Sequence, residues 1–212
     1  DLRSAIAFLK AIPGQYLETD IPVDPQAELS GVYRRVGAGG TVKRPTQEGP
    51  AMQFNNVTGH PGRPVAVGLL ASRKRAGLLL GCNAKRLGWL LKDSVTHPVP
   101  PVEVPREAAP CQEVVYRASD PGFDIRKILP APTNSVEDAG PYITLGMCYA
   151  SHPETGVHDV TIHRLCLQGP DELSIFLMPG ARHIGAFREA AEAAGKPLPI
   201  SVSIGVDPAI EL

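Results

Sequence analysis

The sequence predicts an α+β protein in two parts, an N-terminal α/β domain over residues 1–108 and a β-rich domain over residues 109–212. Helical and strand patterns alternate along the first hundred residues, which is typical of an α/β arrangement. Five prolines between His97 and Pro110 then interrupt regular structure and indicate a domain boundary. Beyond it strands dominate and one long helix is expected, so helices and strands are segregated along the chain.

Helices of the first domain are expected where apolar residues recur at helical spacing after a capping residue. Asp1, Asp24 and Ser72 are the predicted caps, and the four helices cover residues 2–12, 25–36, 73–80 and 85–94. Apolar runs bounded by turns predict strands over residues 16–23, 51–57 and 64–70, the last two forming a β-ribbon. Four basic residues of the third and fourth helices are expected on a solvated face: Lys74, Arg75, Lys85 and Arg86.

A glycine-rich stretch in the first domain, Gly37-Ala-Gly-Gly40, is followed by Lys43 and Arg44. Backbone N–H groups in such a stretch can cradle a phosphate. No helix pattern follows closely, however, and the spacing matches neither the P-loop nor the dinucleotide fingerprint. A loop with a basic exit is therefore the interpretation we favour.

The composition argues against several function classes. The 212 residues carry a formal net charge of −1, which provides no electrostatic footprint for nucleic acid. No apolar run reaches membrane-spanning length and no signal peptide opens the chain, so we expect a cytoplasmic protein without a membrane partner. The four cysteines are widely spaced and are expected to be free thiols: Cys82, Cys111, Cys148 and Cys166.

A β-hairpin organises the second domain. Its first strand contains Asp159–Arg164, its turn is Gln168-Gly-Pro-Asp171, and its second strand covers residues 172–178. Alternation along the first strand places Asp159 and Thr161 on one face and the apolar Val160 and Ile162 on the other. Further strands are expected over residues 112–117, 142–150 and 198–206, and a helix over residues 181–194.

The two outer ends of this hairpin carry Asp159 and His183, which are expected to lie near each other. A carboxylate and an imidazole form a ligand pair suited to Mn, Mg, Fe or Zn. Arg164 and Arg182 add guanidinium groups that bind phosphate or carboxylate bidentately. A solvated rim of charged strand ends is the alternative, because such residues are usually exposed.

Several longer motifs resemble the UbiD family, the decarboxylases that depend on prenylated FMN. Asp159-Val-Thr-Ile-His-Arg-Leu-Cys166 and Gly180-Ala-Arg-His-Ile184 are similar to the flavin-binding core of that family. The similarity includes the three segments Leu129–Asn134, Glu137–Thr144 and Ile204–Ala209. Gly37–Thr46 is similar to the branch that acts on hydroxylated benzoates such as protocatechuate, vanillate, gallate or 4-hydroxybenzoate.

The resemblance implies a split β-barrel of the flavin-reductase type, incomplete in this chain. It also implies a divalent metal, usually Mn, that joins the flavin phosphate to Asp159 and His183, with K as a further ion. The cofactor would be lined by residues 159–164 and 182–183, with main-chain contacts from Thr161 and Ile162. These implied cofactor-binding residues are Asp159, Thr161, Ile162, His163, Arg164, Arg182 and His183. Arg164 would be the catalytic residue.

In the family a third metal ligand, a glutamate, and the proton-transfer carboxylates lie C-terminal to the position of Ala209. The chain therefore resembles the N-terminal part of a decarboxylase, and we expect it to be inactive alone. The implied partners are a hydroxylated benzoate, further copies of the parent enzyme and a flavin prenyltransferase. Two alternatives remain open: a flavin- or phosphate-binding module or subunit that needs a partner chain, and a metal-dependent hydrolase that uses Asp159 and His183.

Overall fold

The computed structural model describes residues 1–38, 48–178 and 183–212, and for Ala38 and His183 the backbone only. The helices are α1 (Leu2–Lys10), α2 (Glu28–Ala38), α3 (Arg73–Leu79), α4 (Leu87–Thr96), α5 (Ile125–Ile128), α6 (His183–Ala193) and α7 (Pro208–Glu211). The strands are β1 (Tyr16–Thr19), β2 (Ala51–Phe54), β3 (Val65–Val67), β4 (Tyr142–Ser151), β5 (His158–Leu167), β6 (Leu173–Ile175) and β7 (Ile200–Ser203). This mixture of helices and sheets confirms the predicted α+β class.

The first sheet has the order β1-β2-β3 and forms the N-terminal layer. Strand β1 runs parallel to β2, and β2 pairs antiparallel with β3, as the predicted ribbon requires. Helix α2 covers this sheet, and together they bury a small core: Val23, Leu29, Met52, Phe54 and Val57. Met52 and Phe54 of β2 therefore contribute to the core beneath α2, which fixes the register of the central strand.

The second sheet has the order β6-β5-β4-β7, and all three of its pairings are antiparallel. Ile184 and Phe187 of α6 pack on one face of it, together with residues of β4 and β5. The register between β4 and β5 shifts between Ile143 and Gly146. Between these positions β4 has one residue more than β5, which is a bulge. Because a bulge reverses the alternation of side chains, buried residues at both ends of β4 face the core.

The two layers are joined by main-chain and side-chain hydrogen bonds. The N–H of Ala27 donates to the carbonyl of Thr133 (2.7 Å), and the N–H of Thr133 donates to the carbonyl of Pro25 (3.0 Å). Ser30 donates to the side chain of Asn134 at 2.7 Å. Arg63 donates to the carbonyl of Ile128 at the end of α5, where helix carbonyls lack partners.

The segment of residues 97–122 connects the layers along the surface, and every residue in it except Ala109 is exposed. The predicted strand over residues 112–117 is wrong, because the segment has no strand there. Val114, Val115 and Tyr116 have high strand propensity, but propensity forms a strand only where a partner supplies hydrogen bonds. Within the described residues no strand lies beside them.

The predicted caps Asp1 and Ser72 are confirmed, since their side chains accept from the N–H of Ser4 and Arg75. The second helix begins at Glu28 rather than at residue 25. Its predicted first turn is used instead for the bonds to Thr133, and Ala27 has a positive φ of 66°. The remaining predicted strands are confirmed in place but are shorter at one or both ends, except β4 and β5.

The prediction that Arg75 lies on a solvated face is wrong. Its side chain is only 2% exposed, and its Nε donates to the carbonyls of Gly68 and Leu69, both at 3.1 Å. Its Nη1 donates to the carbonyl of Gly49 at 3.0 Å. Lys74, Lys85 and Arg86 are exposed as predicted. The helical pattern could not distinguish Arg75 from them, because its partners come from distant loops.

All four cysteines are free thiols, with Cys148 and Cys166 buried. Across residues 1–38, 48–178 and 183–212, none of the helices is both long enough and apolar enough to cross a lipid bilayer.

Candidate functional site

Strand β5 separates its side chains onto two faces as predicted. Asp159, Thr161 and His163 are half-buried on the face that packs toward α6, while Val160, Ile162 and Arg164 are exposed on the other. The register places Asp159 opposite Ala150, Thr161 opposite Cys148 and His163 opposite Gly146 of β4. The strand therefore presents a row of three polar side chains on the inner face of an otherwise apolar sheet.

The members of this polar row are held in place by local contacts. The hydroxyl of Thr161 and Nε2 of His163 lie 2.8 Å apart, which is a hydrogen bond. A Cβ on Gly146, opposite His163, would lie 2.5 Å from Leu165 and 3.0 Å from the carbonyl of His163. Glycine at this position thus lets β4 approach the row closely.

The second edge of β5 is open along the polar row. Strand β6 pairs only with Leu165–Leu167, so in the described parts of the chain no strand pairs with this edge between His158 and Arg164. In an antiparallel ladder successive residues direct their N–H and C=O groups to opposite edges. One of Thr161 and Ile162 therefore presents its main-chain groups to the open edge, where a ligand can meet them.

The structure places only some of the predicted site residues. Arg182 lies outside the described residues, and so does the side chain of His183, whose backbone opens α6. The predicted proximity of Asp159 and His183 thus stays a prediction. Among the side chains that the structure does describe, no group of three His, Cys, Asp or Glu residues is arranged to hold a metal ion.

Tyr142 is the first residue of β4 and lies beside strand β5. It pairs with Cys166 in the register of the sheet. A hydrogen bond with the Cys166 thiol raises the pKa of Tyr142, and the positive charge of Arg164 opposes this shift. The Arg164 guanidinium therefore acts electrostatically on the Tyr142 hydroxyl.

A cleft of about 510 Å³ lies beside Tyr142, between the two sheets. We call it the Glu211 cleft. Its walls come from Leu2, from β3 and the residues on either side of it, from Leu129–Pro132, from the start of β4, and from the C-terminal residues Ile204, Gly205 and Glu211. This cleft was not predictable from the sequence, because its walls come from five separate stretches of the chain.

A second polar cluster lies on the exposed face of β4 and β5. The hydroxyls of Tyr149 and Ser151 lie 2.9 Å and 2.8 Å from Nδ1 of His158. The Tyr149 and His158 rings are also stacked, with centroids 5.4 Å apart. Sequence reasoning missed this cluster because Tyr149 and His158 belong to different strands.

Comparison with protein families gives two matches that together cover most of the chain. The model of the 3-octaprenyl-4-hydroxybenzoate carboxy-lyase Rift-related domain, named UbiD, matches residues 102–212. The model of the N-terminal domain of the same carboxy-lyase matches residues 9–91.

Individual proteins resemble the chain over its whole length. A gallate decarboxylase from Lactiplantibacillus plantarum is 54% identical over 212 residues, which are 100% of this chain and 43% of that protein. The apo 3,4-dihydroxybenzoic acid decarboxylase from Enterobacter cloacae is 61% identical with a TM-score of 0.93, over 99% of this chain and 43% of the other.

A third relative contains a cofactor. An evolved dimeric form of the UbiD-class enzyme HmfF from Pelotomaculum thermopropionicum, in complex with prFMN, is 34% identical with a TM-score of 0.87. The match covers 99% of this chain and 45% of that structure. The chain thus spans less than half the length of each of these relatives.

Proposed function

We propose that this chain, which belongs to the UbiD family, forms the N-terminal and cofactor-binding part of a prenylated-FMN-dependent decarboxylase. The reaction would be the reversible, non-oxidative removal of CO₂ from a hydroxylated aromatic acid. Two similar proteins, a gallate decarboxylase and a 3,4-dihydroxybenzoic acid decarboxylase, support this substrate class. The polar row on β5 is the observation that carries the proposal, because it lies in a segment that resembles the cofactor-binding core of the family.

The division of the chain belongs to the same proposal. We place an N-terminal α/β domain at residues 1–108 and a split β-barrel of the flavin-reductase type, incomplete in this chain, at residues 109–212. The exposed connection of residues 97–122 supports a boundary there. The antiparallel four-stranded sheet with α6 on one face supports the barrel.

The residues of β5 fit a flavin. Asp159, Thr161 and His163 present oxygen and nitrogen atoms on one face, and the open edge of the strand adds main-chain donors and acceptors. When bound, the prenylated flavin would supply an electron sink for the carbon that loses CO₂. The protein would hold and orient it through Asp159, Thr161, Ile162, His163, Arg182 and His183. A flavin prenyltransferase would provide the cofactor.

A divalent ion, Mn in the first place, would be held by Asp159 and His183, with K as a further ion. A carboxylate oxygen and an imidazole nitrogen suit such a metal, and a flavin phosphate would add a further oxygen ligand. Asp159 is half-buried rather than solvated, which supports a role beyond a polar rim. His183 is proposed as the second ligand because it is the first residue of α6.

Arg164 is proposed as the residue that touches the substrate. It lies on the exposed face of β5, so its guanidinium has room to meet a ligand. Its planar pair of N–H donors matches a carboxylate in a bidentate arrangement. Bound in this way, Arg164 would orient the carboxylate that leaves as CO₂ and would neutralise its charge until it leaves.

Flavin binding tests the proposal directly. The purified chain is titrated with FMN in the presence of Mn²⁺, and quenching of flavin fluorescence reports binding. We expect Asp159→Ala to weaken binding at least about tenfold, because it removes a charged ligand of the ion. Glu189→Ala, an exposed carboxylate on α6, is the matched control. A wild-type chain that leaves FMN fluorescence unchanged would contradict the cofactor-binding role.

The polar row and the open edge of β5 also fit a second candidate, because they account for flavin binding but not for turnover. In it the chain is a flavin-binding subunit or module that needs a partner chain and does not itself turn over substrate. Purified chain loaded with prenylated FMN and Mn²⁺ separates the two, with release of CO₂ from 3,4-dihydroxybenzoate as the readout. Turnover by the chain alone contradicts the second candidate, while flavin binding without turnover favours it.

A further inference from the structure

The Glu211 cleft is mainly apolar. Ala66 and Leu69 contribute to one wall, Leu129 and Leu145 to another, and Ile204 to a third. Its volume of about 510 Å³ is within the range of clefts that bind small organic ligands, about 300–1,000 Å³. Walls of this kind favour a flat apolar body such as an aromatic ring.

One carboxylate interrupts these apolar walls. Glu211, at the end of α7, is half-buried, and in the described part of the structure no donor forms a hydrogen bond with its side chain. Burial raises the pKa of Glu211, and the negative charge of Asp207 adds to the shift. A half-buried carboxylate is less well solvated than an exposed one, so a ligand that brings an O–H group would supply it with a hydrogen bond.

The charges around the cleft determine the orientation in which a ligand would bind. Tyr142 lines the cleft and interacts with the positive charge of Arg164. A ligand carboxylate placed beside Glu211 would be repelled, whereas at the Tyr142 end it would approach Arg164. An aromatic acid would therefore point its carboxylate toward β5 and its ring hydroxyls toward α7.

We propose that the Glu211 cleft binds the ring of a hydroxylated aromatic acid and that Glu211 accepts a hydrogen bond from a ring hydroxyl. Glu211 is then a specificity-determining residue, which favours phenolic acids over acids without a ring hydroxyl. This inference rests on the proposed function, from which it takes the class of ligand. The cleft and the Glu211 carboxylate themselves do not depend on the flavin.

The test compares two ligands on the 212-residue chain by titration calorimetry. 3,4-Dihydroxybenzoate carries the hydroxyls that Glu211 would accept, and benzoate lacks them. We expect the wild-type chain to bind 3,4-dihydroxybenzoate at least about tenfold more tightly than benzoate, as for a hydrogen bond to a charged group. Glu211→Leu should reduce this ratio to about twofold or less, with benzoate binding little changed.

Two further variants make the result specific. Glu211→Gln keeps the shape and one acceptor but loses the charge, so its ratio should fall between wild type and Glu211→Leu. Glu103→Gln changes an exposed carboxylate in the connecting segment and should leave the ratio unchanged. In NMR spectra of the wild-type chain, 3,4-dihydroxybenzoate should shift the amide signals of Ala66, Thr144 and Ile204, which line the cleft.

The outcomes distinguish this inference from the proposed function. Equal ratios in wild type and Glu211→Leu, no binding of 3,4-dihydroxybenzoate, or shifts confined to residues away from the cleft would each overturn the inference. A chain that discriminates through Glu211 but binds no FMN supports the inference and contradicts the cofactor-binding role.

Discussion

The two sheets of the molecule use arginine in opposite ways. In the N-terminal layer Arg75 is buried, and its guanidinium donates to the carbonyls of four residues, Gln15, Gly49, Gly68 and Leu69. In the second sheet Arg164 ends a polar stretch of β5 on an exposed face. The first arginine holds protein segments together, while the second has room for a ligand.

This difference shows that burial and partners decide the role of a charged residue, whereas its position in a helix or strand does not. A buried guanidinium is stable only when its donors are satisfied, so Arg75 requires the loops in one arrangement. Burial lowers the pKa of Arg75, and the nearby groups of Tyr33 and Glu48 oppose this shift. An exposed guanidinium makes no such demand, so the contribution of Arg164 to folding should be small.

Replacing Arg75 by Met should have the largest effect on stability. It leaves several buried carbonyls without donors, and the expected loss is about 3–5 kcal/mol in the free energy of unfolding. Urea unfolding followed by circular dichroism measures it. Lys74→Met, at the exposed neighbouring position, should change stability by less than about 0.5 kcal/mol. Equal unfolding midpoints for the two variants would remove the contrast between the sheets.

Replacing Arg164 by Ala should reverse the pattern. The free energy of unfolding should change by less than about 0.5 kcal/mol, because the side chain is exposed. In a decarboxylase that carries this β5 segment, turnover should fall by about a hundredfold, as for a lost bidentate contact to a carboxylate. FMN binding should weaken much less. Lost FMN binding with near-normal turnover in the flavin-loaded fraction would refute the role assigned to Arg164.

Gly146→Ala tests how closely the strands must pack beside the polar row. The new Cβ would lie 2.5 Å from Leu165 and 3.2 Å from Val202, so β4 or its neighbours must move. We expect a loss of about 1–3 kcal/mol, as for overpacking in a core. Gly88→Ala is the matched control, since nothing lies within 4 Å of a Cβ there. It should stabilise α4 by up to about 1 kcal/mol, because alanine favours helices. A loss in both variants would argue against steric crowding.

The smallest effect is expected from the contact between His60 and helix α5. Burial lowers the pKa of His60, the charge of Arg63 lowers it further, and a bond to the Lys127 carbonyl opposes the shift. The unfolded chain then takes up the proton first, so His60 favours folding above a pH of about 6.5 and loses this contribution as the pH falls. His60→Asn should therefore lose less stability than wild type between pH 7.5 and 5. An unchanged pH slope would contradict this, and His97→Asn, which is exposed, is the control.

The sequence was sufficient wherever local interactions decide the structure. Asp1 and Ser72 cap their helices through bonds to residues three positions later. The alternation of Asp159, Val160 and Thr161 predicted the two faces of β5 correctly. His163 also lies on the inner face, where it contacts Thr161.

Features that depend on distant partners were not predictable in this way. Arg75 is buried because its guanidinium bonds to the carbonyls of loops that precede α3, and no helical pattern contains that information. The start of α2 moved to Glu28 because Thr133 takes the hydrogen bonds of Pro25 and Ala27. The Glu211 cleft combines five segments, so its single carboxylate could not be identified from spacing alone.

Proteases should cut this molecule first within residues 97–122, where Arg106 and Arg117 offer exposed trypsin sites. The bonds from Thr133 to Pro25 and Ala27, and from Arg63 to Ile128, do not involve that segment. A nicked chain should therefore remain a single particle under native conditions and separate into two pieces only in denaturant. In this molecule the covalent connection acts as a tether, while the contacts between the sheets hold the two halves together.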